Sequence, residues 1–168
     1  VSTAIQVTVN NIPAPPATAT ASVSAQPNCV TVTGTITVTS PTGTGLEYSI
    51  NGTNYQPGTV FTGLTPGNYN VTVKEISTGC ISAALLLTVN NIPAPPAAPT
   101  ASVTVQPTCS TPTGTISISA PTGAGFQYNI DGSAYQASAT IAGVSPGNHS
   151  LTVINTSTGC VSAATQIT

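Results

Sequence analysis

The chain matches itself at one fixed offset. Cys29 aligns with Cys109, Cys80 with Cys160, Asn10 with Asn90 and Pro66 with Pro146, each pair 80 positions apart, with no gap and about half of the overlapping positions identical. A fixed period of this size means an array of like units, and it constrains the fold before any residue is interpreted. It predicts two repeats, at 13–92 and 93–168, each entered through a Pro-rich linker, preceded at 1–12 by the last strand of an earlier repeat. Because the chain opens inside the pattern, with no charged n-region and apolar h-region, it reads as a fragment of a longer mature protein.

Within each repeat the apolar spacing is two. "GTITVTS" alternates Ile36 and Val38 with Thr, "LEYSI" alternates Leu46, Tyr48 and Ile50 with polar residues, and "NYNVTVKEI" places Tyr69, Val71 and Val73 on one face. Such alternation is the mark of a half-buried strand, and Thr, Val, Ile, Gly and Pro are weak helix formers. Asn51-Gly52, and Asp131-Gly132 in the second repeat, tolerate the positive φ of a tight hairpin. Pro66-Gly67 and Thr78-Gly79 mark further turns. The last strand, "ISAALLLTV", points Leu85, Leu87 and Val89 inward, and Ile5, Val7 and Val9 match them. The fold predicted is all-β: tandem Ig-like β-sandwich repeats of about 80 residues, with roughly seven short strands each.

"VNNIPAPPA" occurs twice, carrying Pro13, Pro15, Pro16 and Pro93, Pro95, Pro96. Proline fixes φ and donates no amide hydrogen, so these runs exclude helix and sheet interior and favour polyproline II. They are expected to be rigid linkers, six residues spanning roughly 20 Å. The cysteines come as one pair per repeat, which predicts structural disulfides Cys29–Cys80 and Cys109–Cys160. Such bonds suit a small domain and an oxidising compartment. Zinc needs four close ligands, and a redox role needs Cys-x-x-Cys or a neighbouring base; neither pattern is present.

Charged residues make up 2% of the chain, against roughly 25% in an ordinary domain. With Lys74 as the only Lys or Arg, there is no basic groove for nucleic acid and no polybasic cluster for a membrane surface. No apolar run approaches the ~20 residues of a spanning helix, so membrane insertion is not expected. Glu47 becomes Gln127 in the second repeat, Glu75 becomes Asn155, Lys74 becomes Ile154, and His149 replaces Tyr69. No Asp, Glu, Lys or His recurs, so a job common to both repeats requires no charge, and neither an enzyme nor a cofactor is expected. Calcium prefers several carboxylates, and Asp131 is the only Asp.

At "TCSTPTGTISISAPTGAGFQYNIDG" and "IAGVSPGNHSLTVINTSTGC" the chain resembles SprB-type and related Ig-like repeats of giant cell-surface adhesins of Bacteroidota. In that family a Cys precedes a "G-x-I" strand, and an "L-x-x-G-x-Y-x-V-T-V" strand ends in "G-C". Cys29, Gly34, Ile36, Tyr48, Leu64, Gly67, Tyr69, Val71, Val73, Gly79 and Cys80 carry the match in the first repeat. Cys109, Gly114, Ile116, Tyr128, Val144, Gly147, Leu151, Val153, Gly159 and Cys160 carry it in the second, with His149 in place of the Tyr. The family's Trp after the Tyr, and its acidic residue before the final Gly-Cys, are absent. The resemblance implies a secreted, extracellular, cell-surface protein. The function expected is a structural segment of a long surface fibre or adhesin stalk, with neighbouring repeats and other copies in a filament as partners. The alternative is an adhesin module gripping a surface glycan through loops at one end, "PTGTG" (41–45) and "PTGAG" (121–125), with Tyr55 and Tyr135 as outlying aromatics.

Overall fold

The computed structural model describes residues 3–168, which form two compact units. Unit 1 comprises residues up to Gln26 together with Thr33–Asn91; unit 2 comprises Pro27–Val32 together with Ile92–Thr168. The loop Pro27–Val32 therefore belongs to the second folded unit although its sequence lies in the first repeat.

Unit 1 has six strands: β1 (Thr20–Ala25), β2 (Gly34–Ser40), β3 (Leu46–Ser49), β4 (Val60–Leu64), β5 (Gly67–Glu75) and β6 (Leu85–Val89). They form two antiparallel sheets, in the orders β1-β2-β4 and β3-β5-β6. From β2 to β5 the chain crosses to the other sheet at each step, which is the connectivity of an Ig-like sandwich. Period-two alternation sends Ile36 and Val38 of β2 against Tyr48, Val71, Val73 and Val89 of the facing sheet, and an irregularity in β4 lets Phe61 and Leu64, three residues apart, join the same core.

Unit 2 repeats the plan with seven strands: β7 (Thr100–Val105), β8 (Gly114–Ala120), β9 (Phe126–Ile130), β10 (Thr140–Val144), β11 (His149–Asn155), β12 (Cys160–Val161) and β13 (Thr165–Ile167). One sheet is ordered β10-β8-β7; in the other, β11 pairs with β9, β12 and β13. Its core joins Ile116, Ile118 and Ile141 to Tyr128, Leu151 and Val153. The fold is all-β with Ig-like sandwich units.

Two expectations change. Residues 3–9 carry the pattern of β6 but form no strand, and Ile5, Val7 and Val9 are 86%, 84% and 91% exposed. In β6 the same pattern is held by pairing with Gly67–Val71 of β5, whereas residues 3–9 pair with no strand among the described residues. Val1 and Ser2, the start of that expected strand, lie outside the described residues. The proline runs form no regular secondary structure, yet neither is a free cord. Pro93 and Pro96 are half-buried and Pro99 is buried, a three-residue period matching polyproline II. Thr165 Oγ1 donates to the Pro99 carbonyl at 2.7 Å, which ties the run to β13. In unit 1, Pro16 is half-buried and Ala19 buried in the corresponding places, while Pro13 offers its carbonyl to Cys80. Each run lies along the unit it enters, and Pro15 and Pro95 face solvent.

Candidate functional site

The cysteines do not pair as the repeat suggested. Cys29 is bonded to Cys160, with Cα atoms 4.9 Å apart, and Cys80 and Cys109 are free thiols. The expected Cys29–Cys80 and Cys109–Cys160 bonds are absent because the loop bearing Cys29 is part of unit 2. There the Cys29 N–H donates to the Thr158 carbonyl at 3.0 Å, and Val30 Cγ2 lies 2.6 Å from where a Cβ on Gly159 would stand. A glycine is required at 159 twice over, since its φ is +67°. Both sulfurs lie beside the Pro93 carbonyl oxygen, Cys160 at 3.5 Å and Cys29 at 3.6 Å, and Cys160 is fully buried.

The matching place in unit 1 has the same frame. Gly79 N–H donates to Glu75 O at 2.8 Å, as Gly159 N–H does to Asn155 O. The Cys80 N–H reaches Thr78 Oγ1 at 3.2 Å, as Cys160 N–H reaches Thr158 Oγ1 at 3.4 Å. The Cys80 thiol lies 3.5 Å from the Pro13 carbonyl. Here nothing comes within 4 Å of a Cβ on Gly79, and Cys80 is only half-buried. The Cys109 loop keeps the turn of the Cys29 loop: Thr108 N–H donates to Thr111 O, as Asn28 N–H does to Thr31 O, both at 2.8 Å. Cys109 itself is exposed.

The expected hairpin turns are longer than two residues. Tyr48 and Gln56 exchange backbone hydrogen bonds at 2.8 and 2.9 Å, and residues 49–55 connect them; Tyr128 and Gln136 do the same in unit 2. Gly52 adopts φ +75°, while both Asp131 and Gly132 lie in the left-handed region, at +51° and +74°. Asp131 accepts from the Ser150 N–H at 2.8 Å and meets His149 Nδ1 at 2.6 Å, and His149 Nε2 meets the Ser145 carbonyl at 2.8 Å. The carboxylate hydrogen bond, then the Ser145 carbonyl, raises the imidazole pKa; the same imidazole, then the Ser150 amide, lowers that of Asp131. This pair clamps the turn at Asp131-Gly132. Tyr55 donates to or accepts from Thr72 Oγ1 at 3.1 Å, under the Lys74 ammonium 5.2 Å from its ring, whereas Tyr135 is exposed. Among the described residues no group of three or more His, Cys, Asp or Glu could hold a metal ion, and no helix is long and apolar enough to cross a membrane.

Two hollows lie in unit 2. One, of about 190 Å³, opens among Val103, Gly114, Ile116, Val144 and Ile167. In unit 1 the corresponding space, beside Gly34, holds Val89, whose Cγ1 lies 2.6 Å from a Cβ placed on that glycine. The other is an open groove of about 410 Å³ along the "PTGAG" loop, lined by Gly123, Gly125, Phe126, Ala137 and Thr156, without a charged group.

Sequence reasoning missed a repeated device. Ser82 and Ser162 are buried, and each Oγ accepts the N–H of a β-strand valine, Val73 or Val153, at 3.0 Å while donating to the next residue's carbonyl. The recurrent "SAA" at 82–84 and 162–164 was the available signal.

No family model and no curated protein matches the sequence. Among solved structures the chain is similar to the chicken CNTN1 FN1–FN3 domains, at 17% identity and a TM-score of 0.41, over 92% of this chain and 67% of that one.

Proposed function

We propose that the chain is a structural segment of a long secreted fibre or adhesin stalk of the SprB-like kind, working at the cell surface through its shape and self-association rather than through chemistry. One observation carries this reading: what recurs in both units is structural, and no Asp, Glu, Lys or His recurs. Tyr48 and Tyr128 donate to the Pro41 and Pro121 carbonyls at 3.0 and 2.9 Å, Ser82 and Ser162 mend the ladder, and the turn before each second cysteine is the same. The Asp131–His149 pair, by contrast, is replaced by Asn51 and Tyr69 at the matching positions of unit 1. A disulfide supports an oxidising, extracellular setting. Electron micrographs of the native material test the reading: long beaded threads are expected. A glycan array gives the opposing result, since saturable binding to one sugar, lost on deleting the 121–125 loop, would make the chain a binding module instead.

A further inference from the structure

We infer that the Cys29–Cys160 bond is a force-carrying clasp: tension that enters the chain before Cys29 and leaves it after Cys160 passes through the disulfide and bypasses both sandwiches. The bond joins two residues separated by 131 in sequence whose Cα atoms lie 4.9 Å apart. Everything from Val30 to Gly159 therefore lies on a closed covalent loop, and a stretched chain takes the short way round it. That loop carries β2 to β11, the core residues Ile36, Tyr48 and Val73 of unit 1, Ile116, Tyr128 and Val153 of unit 2, and the run from Pro93 to Pro99. Left in the path of the tension are β1 on one side and Val161 with β13 on the other. β1 is the edge strand of its sheet, so peeling it from β2 lengthens the chain only as far as Cys29.

The fold of unit 1 keeps the clasp from closing within one repeat. Ala25 and Gly34, which flank the Cys29 loop, meet at the end of the sandwich where Val89 pairs with Gly67. There the Val89 Cγ1 and the Ala25 carbonyl oxygen lie 2.6 and 3.1 Å from a Cβ placed on Gly34. Cys80 stands at the opposite end, where its carbonyl accepts the Glu75 N–H at 3.0 Å. Between the two ends runs β5, whose 9 residues from Gly67 to Glu75 span about 26 Å. The chain from Ala25 to Cys29 reaches about 14 Å at most. The gap that remains exceeds the ~7 Å over which a disulfide can join two Cα atoms. A clasp made by Cys29 must therefore reach beyond the repeat that carries it, and so it encloses whole sandwiches rather than part of one.

The bond is also seated for endurance. Cys160 is fully buried, with its backbone paired to Asn155 at the end of β11. Cys29 is half-buried, anchored by its N–H on the Thr158 carbonyl at 3.0 Å, with Val30 lying over Gly159. Thiol–disulfide exchange needs a thiolate to reach a sulfur, and here solvent offers it only the Cys29 side.

The clasp sets a length. With the bond closed, only the residues outside the loop straighten, and the fully stretched chain measures about 130 Å. Opening the bond releases a separation of 131 residues, which adds about 430–470 Å.

The inference deepens the thread reading and rests on it for its biological role, because a thread is what tension would act on. The test tethers the purified oxidised chain through peptide tags at its two ends, with its free thiols capped by iodoacetamide. Its length is read at one high force, first without and then with dithiothreitol. The tether is expected to stop at the short length without reductant and to gain about 430–470 Å with it. A chain carrying both Cys29→Ser and Cys160→Ser, capped in the same way, should reach the long length without reductant. Because the readout is a fully stretched length, it is the same whether an unclasped unit begins folded or unfolded. The long length in the oxidised parent, or no gain on reduction, would overturn the inference. So would a gain shorter by about a fifth, which is what loops closed within each repeat would release. If the gain fails while native threads are still seen in micrographs, the clasp is wrong and the thread reading stands. If the gain is found and the native material forms no threads, the clasp stands and the thread reading falls.

Discussion

Replacing Ser82 by Ala removes one oxygen and leaves a buried amide without a partner. Tyr48 exchanges its backbone hydrogen bonds with Gln56, so Val73, its neighbour across the β3–β5 pair, turns its own N–H and C=O the other way, toward Ser82. There Ser82 N–H donates to Val73 O at 2.8 Å, and Ser82 Oγ stands in for the missing strand carbonyl by accepting the Val73 N–H at 3.0 Å. Val73 is fully buried, so in the alanine variant water does not replace the hydroxyl. An orphaned buried donor costs about 1–3 kcal/mol. The second bond lost, from Ser82 Oγ to Ala83 O at 2.9 Å, adds little, because Ala83 is exposed and its carbonyl can take a water. For a unit of this size each kcal/mol lowers the thermal midpoint by about 4–8 °C. Denaturant unfolding should show that loss with an unchanged slope, and exchange of the Val73 amide with deuterium should quicken more than exchange along β2. Ser82→Thr, which keeps the hydroxyl, should lose less. A loss below about 0.5 kcal/mol, within the range of neutral surface changes, would refute the claim that this oxygen completes the ladder.

Ser162→Ala should behave alike in unit 2, where Val153 N–H meets Ser162 Oγ at 3.0 Å. Reducing Cys29–Cys160, which closes a sequence separation of 131, should cost about 2–4 kcal/mol, read by denaturant unfolding with and without reductant. Gly79→Ala and Gly159→Ala both place a side chain in the left-handed region, costing about 1–2 kcal/mol. Only Gly159→Ala also collides with Val30, so it should cost about 1–3 kcal/mol more; equal losses would mean that Val30 does not seat there. The Asp131–His149 pair predicts a pH profile. The raised His149 pKa contributes stability that is complete below its ordinary value of 6.5 and lost as pH rises through the higher folded one. The lowered Asp131 pKa contributes stability present above 3.8 and lost as pH falls through the lower folded one. Thermal midpoints should therefore peak between those two pH values, and His149→Phe should flatten the profile.

The sandwich was legible because its determinants are local. Ile36 and Val38 alternate with threonine, Tyr48 and Val73 oppose them, and Gly-bearing turns separate the strands. The disulfide was not legible, and the reason is the repeat itself. Cys80 and Cys160 are equivalent positions, so every local signal that pairs Cys29 with one pairs it equally with the other. Only the path of the loop Pro27–Val32 into unit 2 separates the two choices, and that path is set by packing over a long sequence separation. Residues 3–9, which form no strand here, show the converse limit of a local signal. Their alternation is that of β6, but alternation describes which face a strand would bury and does not supply the neighbouring strand whose amides it needs. Ser82 escaped notice because a serine among apolar residues lowers the strand signal, although it is what holds the strand in place.

A chain with so few charges must be held by neutral contacts, and that has a measurable consequence. The Lys74–Glu47 pair, 3.4 Å apart, is about one-third exposed on both sides and has no counterpart in unit 2, where Ile154 and Gln127 stand. Exposed pairs of this kind contribute about 0–1 kcal/mol, and salt screens them. The contacts present in both units are of another kind: a buried tyrosine hydroxyl on a proline carbonyl, a serine hydroxyl in the ladder, and apolar faces in contact. None of these is weakened by ionic screening, whose Debye length is about 8 Å at physiological salt and about 3 Å at 1 M. Thermal midpoints should therefore hold steady or rise when sodium chloride is raised across that range at neutral pH. A clear fall would show that long-range electrostatics stabilise the fold, leaving the neutral ladder and core too weak to account for it.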